Sequence, residues 1–122
     1  TEEMYVSSMV DHQLEGVAVP AVAKPLVVEF IMQAQEYVRN SEEEDSAASL
    51  RDVRRMLQLM SFFNGLHPTS RGLKLANNLA EVVFLSLAMV YVYRLARFEQ
   101  REGFWRVLLA VAESKVSWWV EA

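Results

Sequence analysis

Arg51, Arg54 and Arg55 are the side chains of this chain whose type and spacing could do chemistry. A guanidinium presents a planar fork of N–H donors that matches phosphate and carboxylate oxygens. These arginines open the stretch Ser49–Phe63, in which Leu50, Val53, Leu57 and Met60 recur at helical spacing. Met56 and Phe63 widen that stripe. Ser49 is a natural N-cap, and Asp52 follows three residues later, a shorter-armed relative of the capping box. Arg51, Arg54, Arg55 and Gln58 then fall on the opposite face. A cation in the first turn gains nothing from the helix macrodipole. Basic side chains beside a helix N-terminus do suit a bound anion. The same face also reads as a solvated surface, its arginines answered by Asp52 or by the acidic run Glu42-Glu43-Glu44-Asp45.

Four further helices position this one. Glu2–Leu14 carries Met4, Val6, Met9, Val10 and Leu14, and Gly16 to Lys24 is a connector in which Pro20 biases Val19 away from helix. Pro25 suits the first turn of the second helix. Leu26, Phe30, Ala34, Tyr37 and Val38, with Val27 and Ile31, line its buried side; Glu29, Gln33, Glu36 and Arg39 face mostly outward, and Asn40 and Ser41 end it. After the arginine helix, Asn64-Gly65 signals a turn, and His67–Gly72 reads as loop. The fourth helix is expected to begin between Leu73 and Leu79, capped by Asn77 or Asn78, and to run to about Phe98. Arg94, Arg97 and Arg101 would complement its C-terminal dipole. Gly103 marks the expected break before a fifth helix through Phe104, Val107, Leu108, Val111 and Ala112 towards Trp118 and Trp119. Adjacent tryptophans cannot both face one core. The expected fold is an all-α bundle of four to five helices, a single helical domain over residues 1–122.

Composition sets the bounds. The chain has 122 residues, 52% of them hydrophobic and 11% aromatic, enough for a packed core. A net charge of −4 argues against broad affinity for nucleic acid. Cysteine is absent, which excludes disulfides and thiolate metal sites. His12 and His67 stand alone and make no metal site. The longest apolar run, Val82–Tyr93, lies between Glu81 and Arg94 and is too short to span a bilayer. The chain opens Thr-Glu-Glu, with neither an initiator Met nor a basic n-region, and is expected to be a fragment of a larger chain or a processed product. No nucleophile with its base, convergent carboxylate pair, phosphate-binding glycine loop or RING-type Cys/His spacing is visible, so no catalytic residue is assigned.

Ser49-Leu50-Arg51-Asp52-Val53-Arg54-Arg55 resembles a segment of AAA+ ATPases of the mysterin type, giant RING-finger E3 ubiquitin ligases with a dynein-like core. Gln35-Glu36-Tyr37-Val38-Arg39 and Leu85–Leu95 resemble the same family, in the same order, and the likeness covers roughly residues 1–110. The resemblance implies a AAA+ lid, the small helical subdomain that closes over ATP held by a large α/β subdomain. It implies a cytoplasmic protein whose partners are that large subdomain and neighbouring modules of the same chain. ATPase and ligase activity would then reside in chain outside these residues. The family pattern puts the sensor-2 role, reaching the γ-phosphate, on Arg51, with Arg55 one turn later as second candidate. The other expectation is an independent helical interaction domain, an adaptor or homodimer without catalytic activity, whose aromatic surface binds a partner helix.

Overall fold

The computed structural model describes residues 1–15, 23–42, 48–66 and 75–114. Five α-helices follow one another: α1 (Glu2–Gln13), α2 (Ala23–Glu42), α3 (Leu50–Leu66), α4 (Leu75–Val90) and α5 (Phe98–Ser114). A 3-10 turn, Val92–Arg94, stands between α4 and α5. There is no strand among the described residues, as the helical periodicity predicts.

Each helix buries most of the stripe its sequence marks, although Met4 of α1 is exposed. Val6, Val10 and Leu14 bury one side of α1, whose start is capped by Thr1 accepting from the Met4 N–H at 3.3 Å. Leu26, Val27, Phe30, Ile31, Ala34 and Val38 bury α2, which packs against α1, α4 and α5. Val53, Met56, Leu57 and Met60 bury α3 against α4, where Val82, Val83, Leu87 and Val90 meet them. Phe104 and Leu108 bring α5 onto the same core. Phe30, Phe84, Trp105 and Phe104 form a run of edge-to-face rings, with centroids 5.3, 5.9 and 5.3 Å apart.

Several boundaries differ from the sequence reading. Helix α2 begins at Ala23, so Pro25 is its third residue, still within the first turn, where a missing N–H costs nothing. It ends at Glu42. The Asn64-Gly65 pair does not turn the chain: α3 continues through it to Leu66, the pair falling in the last turn. Asn77 and Asn78 lie inside α4 rather than capping it. The largest difference is at the end of α4, which stops at Val90 rather than near Phe98. Leu95 is extended, with φ −80° and ψ 119°. Arg97, placed by sequence at the end of a helix, instead opens α5: its carbonyl accepts from the Gln100 and Arg101 N–H groups, and its own N–H donates to Gln100 Oε1. Arg101 accordingly stands in the first turn of α5, its Nε donating to Leu95 O at 2.8 Å.

Gly103 is therefore no break; it sits within α5. A Cβ there would stand 2.3 Å from Tyr37 Oη. The bare backbone lets α2 and α5 close up, and Tyr37 donates to Gln100 O at 2.7 Å. The connector residues 16–22, the acidic residues 43–45, the loop 67–72 and the Trp118-Trp119 pair lie outside the described residues.

Candidate functional site

The beginning of α3 is held from two sides. Within the helix, the Asp52 carboxylate accepts from the Ser49 N–H at 2.9 Å, the back-reaching half of a capping box. The same oxygen receives Arg94 Nη1 at 3.0 Å, from the 3-10 turn after α4. From the other side, Arg39 Nη2 donates to Ala48 O at 2.9 Å, and Gln35 Nε2 donates to Ser49 O at 3.2 Å.

Gln35 and Arg39 are themselves fixed by Glu2 of α1. Arg39 forks onto the Glu2 carboxylate through Nη1 and Nη2, and Gln35 Nε2 donates to Glu2 Oε2 at 3.2 Å. These Arg39 hydrogen bonds hold the Glu2 carboxyl below its ordinary range, against the opposing effect of its partial burial. Gln35 is wholly buried, and its Oε1 accepts from the Tyr91 hydroxyl at 2.7 Å. Burial, reinforced by the nearby Asp52 charge, pushes the Tyr91 phenol well above its usual range, so it remains a donor.

The sequence reading had turned Arg39 mostly outward and left Gln35 off the buried side of α2. Arg39 faces inward because Glu2 and the Ala48 carbonyl supply its partners there. Gln35 carried a signal: it stands one turn after Ile31, on the core-facing side, where a buried amide demands partners. Through these bonds Gln35–Arg39, Ser49–Arg55 and Leu85–Leu95, far apart in sequence, meet at the start of α3.

On its outer side α3 forms a groove with α4. Arg51, Asp52, Arg55, Gln58, Leu59 and Phe62 line it from α3, and Met89, Val90 and Arg94 from across. Its volume is about 900 Å³. The Asp52 carboxylate meets two guanidinium groups at the groove's head: Arg94 at 3.0 Å and Arg55 at 3.8 Å. Arg51 is exposed, as are Arg54, Arg55 and Gln58, in keeping with the opposite-face assignment. Arg51 makes no hydrogen bond or ion pair among the described residues. Phe62 (60% exposed) and Met89 (45%) add exposed apolar surface to the lining of the groove.

The arrangement suits an anion with an apolar part. The donor forks fit phosphate oxygens, and the Leu59, Phe62 and Met89 wall fits a flat ring or an alkyl surface. Among the described residues no group of three His, Asp or Glu side chains could hold a metal ion, and no helix is long and apolar enough to cross a membrane. No protein-family model matches the chain, and no solved structure matches it.

Proposed function

We propose that this chain is the helical lid of a mysterin-like AAA+ ATPase and E3 ubiquitin ligase. In this reading it closes over ATP bound by a large α/β subdomain that lies outside these residues. The observation that carries the reading is the division of labour along Ser49–Arg55. Ser49 and Asp52 build the helix start, and Val53 enters the core. Packing leaves Arg51 exposed at the head of the groove, without a hydrogen bond or ion pair among the described residues, and Arg55 lines the same groove. A guanidinium exposed in this way can offer its N–H fork to a ligand.

When bound, ATP supplies the phosphate charge that the lid senses. Arg51 offers its fork to the terminal phosphate, and Arg55 and Arg94 add positive potential at the same end. Asp52 limits that potential and keeps Arg94 fixed. Leu59, Phe62 and Met89 offer an apolar surface to the rest of the ligand. Ubiquitin transfer and hydrolysis belong to other parts of the parent protein.

The test pairs two measurements on Arg51→Ala. In the 122-residue chain, stability should change by no more than about 0.5 kcal/mol, as for surface substitutions generally. In the parent protein, ATP affinity should fall roughly ten- to hundred-fold, the worth of a charge-assisted phosphate contact. Early melting of the chain together with unchanged ATP affinity would make Arg51 a structural residue and overturn the assignment.

A further inference from the structure

We infer that Glu2, Gln35 and Arg39 are positioning residues for Arg51, so that the seating of α1 sets where Arg51 is presented. The inference rests on the reading of Arg51 as the phosphate-contacting residue. Arg51 has no side-chain partner of its own among the described residues, so its placement follows from the backbone that bears it. That backbone begins at Ser49. The carbonyls of Ala48 and Ser49 take donors from Arg39 and Gln35, and both donors are tied to the Glu2 carboxylate.

These bonds are not needed to make a helix. The Ser49 carbonyl already accepts from the Asp52 and Val53 N–H groups, at 3.0 and 3.4 Å, and the Ser49 N–H is satisfied by Asp52. The additional donors from α2 fix where the helix starts in space. They reach it through a side chain that is wholly buried, Gln35, and one that is largely buried, Arg39. Tyr91 completes the clamp from the end of α4, leaving Gln35 no freedom to rotate its amide. Glu2 is the point where the clamp meets α1. A shift of α1 therefore acts on residues 48–49, and through them on Arg51. The Asp52–Arg94 pair holds the other flank and does not involve α1.

A double-mutant cycle on MgATP affinity of the parent protein tests this. Glu2→Gln keeps the shape of the side chain and removes the charge that orders Arg39 and Gln35. It should weaken MgATP binding about fivefold or more, the lower range of site-to-site coupling. In an Arg51→Ala background it should have no further effect, because its route of action is gone. Arg39→Lys, which loses the fork but keeps the charge, should behave in the same way and serves if Glu2→Gln does not fold. Additive losses would show that Glu2 acts by another route and would overturn the inference. So would unchanged affinity for Glu2→Gln alongside a loss for Arg51→Ala, an outcome that leaves the lid reading intact. If Arg51→Ala itself has no effect, the lid reading fails and the positioning role fails with it. If both variants unfold the chain, the clamp is structural and the inference is wrong.

Discussion

Tyr91 and Gln35 share a hydrogen bond that lies wholly inside the molecule. Both are fully buried, so neither can exchange a lost partner for water. The Tyr91 hydroxyl donates to Gln35 Oε1, and the Gln35 amide nitrogen is used by Glu2 and the Ser49 carbonyl. Tyr91→Phe preserves the ring, which stacks on Phe104 with centroids 6.3 Å apart, and deletes only the donor. The buried Gln35 oxygen is then left unsatisfied. The expected cost is about 1–3 kcal/mol, the penalty for stranding a buried acceptor, read as a lower denaturation midpoint with an unchanged slope. A change below about 0.5 kcal/mol, the surface level, would mean that Gln35 finds another donor.

At the level of the helices, α5 illustrates how tertiary contact overrides local propensity. Glycine in a helix interior is disfavoured against alanine by roughly 1 kcal/mol. Gly103 nevertheless sits within α5, because Tyr37 occupies the space a side chain would need. Gly103→Ala should therefore destabilise the chain by about 1–3 kcal/mol, as overpacking does, despite its better helix propensity. Tyr37→Phe removes the hydroxyl that a Cβ would meet at 2.3 Å, while the ring carbon at 3.2 Å needs to yield only slightly. In that background Gly103→Ala should be close to neutral or stabilising. Thermal melts of the two single variants and the double variant decide it; equal losses with and without the Tyr37 hydroxyl would contradict the close-approach explanation. The same override ends α4 at Val90 without help from glycine or proline. Beyond it Tyr91 bonds to Gln35, Arg94 pairs with Asp52, and Leu95 is buried in the core, so contacts with other elements hold the turn that follows.

For the whole molecule, one core joins all five helices, and its residues should be separable from those of the groove by mutation. Leu57 of α3 is 3% exposed and Leu87 of α4 0%, both in the one hydrophobic core. Leu57→Ala or Leu87→Ala should cost about 2–5 kcal/mol, combining lost transfer energy with a cavity. Chemical denaturation of each variant measures this directly. A loss under about 0.5 kcal/mol would show that the site is not core. The groove residues need not follow that pattern, since Arg51 and Arg55 stand outside the core and add little to it.

The sequence by itself determined the helical class and the buried stripe of α3. It also determined the back-reach of Asp52 to the Ser49 N–H, and the outward face that bears Arg51 and Arg55. Each of these follows from local rules: a period near 3.6, a cap residue at fixed spacing, and apolar side chains that leave water. The meeting of Glu2, Gln35, Arg39 and Tyr91 was decided only by tertiary structure, as were the inward turn of Arg39, the helical Gly103 and the break after Val90. These depend on which polar group finds a partner across the bundle and which backbones approach closely. No window of sequence contains both members of such a pair, so neighbouring residues cannot specify them.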